Sequence, residues 1–301
     1  MGKITKKIIK TIPSLEVDLE KNYKNIRHLN KLAKKGFFAK KSNNSFDYNF
    51  RINDYDIPTR IYNPNSKPDQ LIIYIHGGGW VLGCIDSYDD TCQKICDATN
   101  SIVISIDYRL APEYKFPTAF NDCYEVSNII FKSCRKFGIP RRKVYLMGDS
   151  AGACIASCIS LKRRDEKKYI PKKQVLLYPL SSSRRDKDKY PSVAEQAKNL
   201  FLSLKRMEDH TKLYKNSDED LDSKYFAPLN AANFKKQPKT LIFVAELDIL
   251  RDEGIELAEK LDEAKNDVTL YRIEEEGHGY FTAFKNTKAT RKTIRIISDF
   301  L

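Results

Sequence analysis

The sequence predicts an α/β fold, namely a mostly parallel, eight-stranded sheet with helices on both faces. Six largely apolar segments alternate with helical stretches, a pattern typical of parallel strands that are buried on both faces. Two more polar strand segments precede these six. The chain has 301 residues, of which 41% are hydrophobic, and is therefore long enough to bury a large core.

The first predicted element is a helix over residues 14–35, where apolar side chains recur at helical spacing between Pro13 and Gly36. Eight strands are predicted to follow, over residues 46–52, 56–64, 70–76, 101–107, 143–148, 174–179, 240–246 and 267–273. Helices are predicted to begin near residues 87, 118, 151 and 252, and a last helix covers about 287–300.

One long polar segment, residues 181–224, interrupts the alternation. Its middle has a helical pattern and it contains no convincing strand. A connection of this length between two strands is unusual, so we expect a functional lid or cap. This segment, a cap insertion, separates residues 46–180 from residues 225–301.

Composition argues against several other classes of protein. The net charge is +13, but 53 basic residues are scattered among 40 acidic ones without a nucleic-acid recognition motif. No apolar run approaches the roughly 20 residues of a membrane span, and the N-terminus has no secretory apolar region. We therefore expect a cytoplasmic protein with neither nucleic acid nor a membrane as its partner.

The seven cysteines do not form a recognisable metal or disulfide pattern. Their number is odd, and the two close pairs, Cys92/Cys96 and Cys154/Cys158, are spaced for one helix face. No histidine lies near either pair, and the C-x-x-C spacing of zinc sites is absent. We interpret them as small buried thiols and predict no metal.

Glycine is rare and concentrated. Eight of the 12 glycines lie in three short stretches, "IHGGGWVLG" (75–83), "GDSAG" (148–152) and "EGHGY" (276–280). Because glycine costs conformational entropy on folding, a chain that avoids it elsewhere should have a local reason to use it here. One such reason would be a chemical reaction that requires exposed backbone groups at these three places.

The stretch "VYLMGDSAG" predicts a nucleophile. An apolar strand ends at Gly148, Ser150 follows at a sharp turn, and a helix of small residues begins after it. This is the G-x-S-x-G nucleophile elbow in its required strand–turn–helix context. The turn exposes the Ser150 hydroxyl, and the helix N-terminus favours developing negative charge.

A serine hydroxyl needs a general base, and the chain has four histidines. His278 lies in a glycine-flanked loop after the last predicted strand, at the sheet edge where loops after parallel strands meet. We therefore predict that His278 is the base. His28 and His210 are interpreted as surface residues, and His76 as a residue that braces the glycine loop.

The base in turn needs an acid that orients it. In this kind of fold the acid lies between the serine and the histidine in the chain. "FVAELDILRDEG" offers Glu246, Asp248, Asp252 and Glu253. Asp252 and Glu253 fit the first turn of a helix, where acids are common. Asp248 is the loop residue and is our prediction, and Glu246 is the alternative.

The proposed chemistry also explains why the loop after the third strand is rich in glycine. Acyl transfer passes through a tetrahedral oxyanion, which hydrogen-bond donors must stabilise. The loop follows the third strand, at the same edge as the serine. We predict that the N–H groups of Gly78, Gly79 and Ala151 are the donors, and that Trp80 lines the wall of the substrate pocket.

Five motifs in order resemble the hormone-sensitive-lipase-like branch of the α/β-hydrolases, which includes bacterial acetyl esterases. They are "HGGGW" (76–80), "DYRLAPEYKFP" (107–117), "GDSAGA" (148–153), "DILRDEG" (248–254) and "GHGYF" (277–281). The resemblance covers roughly residues 50–300. It implies the α/β-hydrolase fold, with a catalytic domain in two parts (46–180 and 225–301) and a helical cap made of N-terminal cap helices (1–45) and the insertion (181–224). It also implies a Ser150–Asp248–His278 triad, and the second and third glycines as oxyanion donors.

Two departures from the family pattern, Ala153 after the elbow and Ile249 after the acid, remove no catalytic group. In "YRLAPE", Arg109 and Glu113 are interpreted as structural residues that brace a turn beside the active-site edge.

We predict a cofactor-independent serine carboxylesterase that hydrolyses small esters, with short acyl chains (acetyl to about hexanoyl) as the resemblance suggests. Three alternatives remain: an amidase or peptidase on the same triad, a lactonase, and a non-catalytic binding protein on a hydrolase scaffold. The last alternative fits poorly, because every catalytic member is present. A homodimer is the one assembly considered.

Overall fold

One sheet of eight strands organises the chain. The computed structural model describes residues 17–36, 44–283 and 286–301. The strands are β1 (Ser45–Ile52), β2 (Tyr55–Tyr62), β3 (Gln70–Ile75), β4 (Ser101–Ile106), β5 (Val144–Asp149), β6 (Lys173–Leu177), β7 (Lys239–Leu247) and β8 (Val268–Gly277). Their order in the sheet is β1-β2-β4-β3-β5-β6-β7-β8. The pairs β1/β2 and β2/β4 are antiparallel and the other pairs are parallel, so the predicted α/β fold is confirmed.

Nine helices connect or flank the strands within the described residues. They are α1 (Leu19–Gly36), α2 (Asp89–Thr99), α3 (Thr118–Ser133), α4 (Ala151–Asp165), α5 (Pro191–Glu195), α6 (Leu204–Tyr214), α7 (Arg251–Glu263), α8 (Tyr280–Ala283) and α9 (Lys288–Phe300). Residues 14–16 of the first predicted helix lie outside the described part. The short helix α8 was not predicted. None of the helices described here is long and apolar enough to cross a membrane.

The central strands are buried on both faces. In β3, Leu71, Ile73 and Ile75 belong to the core on one side of the sheet, and Ile72 and Tyr74 belong to the core on the other. All five side chains are fully buried. Successive residues of a strand point to opposite faces, so a strand covered by helices on both sides must be apolar at every position.

Two glycines allow α4 to approach the sheet closely. A methyl group at Gly152 would lie 2.0 Å from the carbonyl oxygen of Ile75, and one at Gly148 would lie 2.5 Å from the carbonyl carbon of Gly152. These distances leave no room for a side chain at either position. The backbone of α4 therefore packs directly on the ends of β3 and β5, and the two glycines of the elbow make this packing possible.

The segment 181–224 contains α5, α6 and a 3₁₀ turn, and no strand. It is anchored at its start by the buried carboxylate of Glu253, which accepts hydrogen bonds from the N–H groups of Ser181 (2.7 Å) and Ser182 (3.2 Å). The Arg185 guanidinium lies 3.0 Å from the same carboxylate. These contacts attach the segment to the first turn of α7. We propose that it is the cap insertion.

Helix α1 lies beside this segment and is tied to the loops at the sheet edge. Lys212 of α6 lies 2.7 Å from Glu20 of α1. Arg27 of α1 donates to the carbonyl oxygens of Val81 (2.7 Å) and Ala111 (2.6 Å), and its guanidinium lies 3.0 Å from Glu113. We propose that α1 is part of the same cap, although much of the predicted 1–45 unit lies outside the described residues.

A buried carboxylate at the end of β5 ties the edge of the sheet together. Asp149 accepts hydrogen bonds from the hydroxyl groups of Tyr74 and Tyr88, both at 2.9 Å, and from the N–H group of Gly77, also at 2.9 Å. Burial raises the pKa of Asp149 to about 6, although these three donors oppose that rise. Asp149 thus connects β3, β5 and the loop that follows β3.

Asp149→Asn should change how stability depends on pH. Folded Asp149 binds its proton more tightly than the unfolded chain does, so its contribution to stability is complete below the unfolded pKa and is lost as pH rises through about 6. Asparagine does not titrate. The free energy of unfolding of Asp149→Asn relative to wild type should therefore increase between about pH 4 and pH 7, by on the order of 2–3 kcal/mol. Urea unfolding at a series of pH values measures it, and a constant difference would contradict the prediction.

Candidate active site

The loops at the carboxyl edge of the sheet bring the predicted site residues together. Gly78 and Gly79 follow β3, Ser150 follows β5, Asp248 follows β7, and His278 follows β8. Parallel strands end at a common edge, so residues far apart in the chain become neighbours there. This edge is the candidate active site.

Ser150 occupies the sharp turn between β5 and α4. Its φ of +53° and ψ of −121° lie in a region that residues with a side chain rarely adopt. Its N–H group donates to the carbonyl oxygen of Leu177 at 2.9 Å, and its carbonyl oxygen accepts from Cys154 in the first turn of α4. These backbone bonds hold the turn, and they leave the hydroxyl group free to face the loop after β8.

Three side chains form a continuous hydrogen-bonded chain. The Oγ of Ser150 lies 2.9 Å from Nε2 of His278, and Nδ1 of the same ring lies 2.7 Å from Oδ2 of Asp248. The His278 side chain is 12% exposed and that of Asp248 is 1% exposed, so water is largely excluded from the second contact. The Tyr178 ring packs edge-on against His278, with centroids 4.9 Å apart, and limits its rotation.

The two acids that the sequence left open differ in their contacts. Asp248 contacts His278 and also accepts the N–H group of Leu250 at 3.0 Å. The Glu246 carboxylate instead accepts from the Arg272 guanidinium (3.1 Å) and from the N–H group of Glu275 (2.6 Å) on the neighbouring strand. Glu246 is thus engaged at the β7–β8 edge, and only Asp248 of the two is hydrogen-bonded to His278.

The loop after β3, at the same edge of the sheet, has backbone N–H groups without acceptors. Gly78 has φ +109° and Gly79 has φ +61°. A methyl group at Gly78 would lie 2.3 Å from the carbonyl oxygen of Leu82, so glycine is required there. The N–H groups of Gly78, Gly79 and Ala151 have no hydrogen-bond acceptor among the residues that the structure describes.

His76 lies beneath this loop, as interpreted from the sequence. The ring is fully buried, stacks on Tyr108 with centroids 4.2 Å apart, and places Nδ1 2.8 Å from the carbonyl oxygen of Gly77. Burial lowers the pKa of His76 to about 4, so the ring is neutral at physiological pH. The His76 ring thus contacts the glycine-rich loop, and it is not hydrogen-bonded to Ser150.

The surface prediction made for the other two histidines holds for one of them and fails for the other. His28 is exposed on α1, as expected. The surface interpretation of His210 is wrong: this residue of α6 is 4% exposed and packs on Gly79. The reason is the pattern of α6, in which Met207, His210 and Tyr214 recur at helical spacing on the buried side of the helix. That periodicity was visible in the sequence but lay within a segment whose composition is polar.

Trp80 lies at the interface between the loop after β3 and the segment 181–224. Its side chain is 1% exposed, and its indole stacks on the Tyr214 ring with centroids 4.4 Å apart and planes 10° apart. Phe226 packs on both rings at 5.4 Å and 5.3 Å. The role of Trp80 as a pocket wall stays a prediction.

The turn in "YRLAPE" is braced by two separate ion pairs. Arg109 forms a bidentate pair with the buried Asp122, at 2.9 Å and 2.6 Å. Glu113 pairs with Arg27 of α1. The N–H group of Ala111 donates to the carbonyl oxygen of Trp80 at 2.9 Å, which joins this turn to the glycine-rich loop.

Comparison with known proteins gives consistent matches. Residues 72–282 match a family described by the alpha/beta hydrolase fold. An arylesterase of Saccharolobus solfataricus is 31% identical over 256 residues, which is 83% of this chain and 80% of the relative. The esterase LipI of Mycobacterium tuberculosis is 35% identical over 229 residues, which is 74% of this chain and 71% of the relative.

The fold agrees with a solved structure over nearly its full length. A hyperthermophilic esterase from the archaeon Pyrobaculum calidifontis superposes with a TM-score of 0.90, at 26% sequence identity, and the match covers 99% of this chain and 97% of the esterase. Together with the family match, these likenesses confirm the resemblance stated from the motifs. The chain belongs to the α/β-hydrolase family, in its hormone-sensitive-lipase-like branch.

Proposed function

We propose that this carboxylic ester hydrolase is a serine carboxylesterase that cleaves short-chain acyl esters, acetyl to about hexanoyl, through an acyl-enzyme on Ser150. The observation that carries the proposal is the hydrogen-bonded chain from Ser150 through His278 to Asp248. It lies beside three backbone N–H groups without acceptors in the described residues. A nucleophile, a base, an orienting acid and oxyanion donors are the groups that acyl transfer needs.

In the acylation step, the Oγ of Ser150 attacks the ester carbonyl carbon while its proton passes to Nε2 of His278. The Oγ–C bond forms, and the carbonyl π electrons move onto oxygen to give a tetrahedral oxyanion. Asp248 holds the ring with Nδ1 protonated and stabilises the imidazolium. When the intermediate collapses, the bond to the leaving oxygen breaks, and Nε2 returns the proton to the departing alcohol.

Deacylation repeats the sequence with water as the nucleophile. Water gives a proton to Nε2 of His278 and its oxygen bonds to the acyl carbon, so a second oxyanion forms at the same place. The bond from that carbon to Ser150 Oγ then breaks, the proton returns from Nε2 to Oγ, and the carboxylic acid leaves. The same triad therefore serves both half-reactions.

The oxyanion donors are proposed to be Gly78, Gly79 and Ala151. Both glycines have positive φ angles and N–H groups without an acceptor among the described residues, and Ala151 opens α4. The positive end of the helix dipole adds to the stabilisation of negative charge there. Donors that are held in place before the reaction pay no reorganisation cost when the charge develops.

The preference for a short acyl group comes from the family resemblance, and aromatic packing fills the space beside α6. Trp80, Tyr214 and Phe226 pack on one another and fill space between the glycine-rich loop and the cap segment. We propose that Trp80 forms part of the pocket wall. The named relatives, an arylesterase and an esterase, support ester bonds as the substrate class.

Ser150→Ala tests the nucleophile. The variant lacks the attacking oxygen, while a small residue in this turn leaves the α4 packing in place. We expect kcat for p-nitrophenyl butyrate to fall by about 10⁶, as losses of a triad member do elsewhere. Thermal unfolding serves as the control for folding. Retention of most of the activity in a folded variant would refute the mechanism.

Asp248→Asn and Glu246→Gln form a matched pair that tests the acid. Only Asp248 contacts His278, so its amide should hold the ring in the wrong tautomer and lower kcat by about 10⁴. Glu246→Gln removes a carboxylate bound to Arg272 and should leave kcat within about twofold, since Glu246 does not contact the ring. The reverse order of effects would assign the acid to Glu246.

A substrate series tests the reaction class and the chain length. With p-nitrophenyl esters from acetyl to palmitoyl, we expect kcat/KM to be highest at or below hexanoyl and to decline beyond it. Matching p-nitroanilides distinguish an amidase or peptidase, and simple lactones distinguish a lactonase. Faster cleavage of the anilide or the lactone than of the ester would replace the carboxylesterase assignment.

A further inference from the structure

The His210 imidazole occupies the space where Gly79 lacks a side chain. A methyl group built on Gly79 would lie 2.4 Å from Nδ1 of His210, 2.5 Å from its Cγ and 2.7 Å from its Cε1. No side chain fits at position 79 while the ring is there. A side chain from α6 thus lies in direct contact with the backbone of a proposed oxyanion donor.

The ring is buried and neutral. His210 is 4% exposed, and burial lowers its pKa to about 3, to which the positive charge of Arg206 adds. Its Nδ1 forms no hydrogen bond of ordinary geometry in the described part of the chain, but the ring has a polar contact with the backbone of Gly79 that opposes the fall in pKa. A purely apolar residue could fill this position but could not make that contact, so packing of α6 alone does not account for a histidine here.

A second residue of α6 contacts the next position of the loop. Tyr214, one helical turn after His210, stacks on Trp80. Gly79 and Trp80 both have a positive φ, +61° and +63°. One face of α6 therefore covers two consecutive residues that are held in the left-handed conformation.

We propose that His210 is a positioning residue for the oxyanion hole. Its flat, neutral ring packs on the open face of Gly79 and holds that residue in the left-handed conformation, which keeps the Gly79 N–H group directed away from protein acceptors and available to the oxyanion. This proposal rests on the proposed function. It assigns to the cap segment a part in stabilising the transition state, in addition to covering the site.

If His210 positions the oxyanion hole, removal of its ring should lower kcat and leave KM nearly unchanged. Removal of the ring leaves Gly79 free to sample other conformations, and stabilisation of the oxyanion matters in the transition state more than in the bound substrate. We expect His210→Ala to lower kcat for p-nitrophenyl butyrate by on the order of tenfold with KM within about twofold, a fraction of the effect expected for complete loss of a donor.

Two further variants separate positioning from general damage to the cap. Leu213→Ala removes a buried side chain from the same helix and should lower the thermal unfolding temperature without the loss in kcat. His210→Asn keeps a planar group at Cγ and a polar atom near the place of Nδ1, so it should recover part of the kcat lost in His210→Ala. The Asn variant also preserves a test if the Ala variant does not fold.

A double-mutant cycle tests the contact itself. Gly79→Ala places a methyl group against the ring and at an unfavourable φ, so we expect it to be strongly impaired. In Gly79→Ala/His210→Ala the ring is gone, and we expect kcat several-fold above that of Gly79→Ala alone, a non-additive result that contact between the two residues requires. Leu213→Ala in the Gly79→Ala background should give no such gain.

The outcomes distinguish failure of the His210 positioning role from failure of the proposed esterase function. Unchanged kcat in folded His210→Ala, or a double variant whose loss is the product of the single losses, overturns the positioning role and leaves the esterase mechanism standing. Absence of ester turnover by the wild type, or full activity in Ser150→Ala, overturns the proposed function and the positioning role with it.

Discussion

The position of Ser150, the proposed nucleophile, depends on one steric contact, the approach of α4 to β3 at Gly152. The space that a methyl group would need there is already occupied by the carbonyl oxygen of Ile75, only 2.0 Å away. Because the helix backbone packs on the strand backbone, the chain must turn sharply at Ser150, with φ +53°. Gly148 provides the same clearance on the strand side of the turn. The placement of the Ser150 hydroxyl thus depends on the absence of side chains at Gly148 and Gly152.

Glycines also make close packing possible where the segment 181–224 contacts the candidate site. A methyl group on Gly79 would meet His210, and one on Gly277, just before His278, would lie 2.6 Å from the Phe201 ring. In both places a side chain of the segment 181–224 fills the space that a glycine leaves in a site loop. At these two positions glycine is used because a ring approaches the backbone within contact distance.

Much of this fold and site could be predicted from the sequence because their patterns are local. Burial on both faces makes the central strands apolar throughout, and the serine turn has a five-residue motif. Asp248 was predicted as the acid with Glu246 left as the alternative, since both lie at the end of the same strand and alternate residues face the same way. The choice depends on β7 continuing through Leu247 and on the irregular pairing with β8 at this point. His210 was misjudged because the polar composition of its segment concealed a buried helix face.

The candidate site residues are far apart in the chain, so activity depends on formation of the whole sheet. Ser150 and its proposed base, His278, are 128 residues apart, and β6, β7, β8 and the whole segment 181–224 lie between them. Such non-local contacts form only when the intervening parallel strands have paired, which is a slow, late event in folding. A partly folded chain consequently carries an ordinary serine, with no base within reach. Turnover by this protein therefore also measures the fraction of molecules that have completed the fold, and refolding can be followed by the recovery of ester hydrolysis.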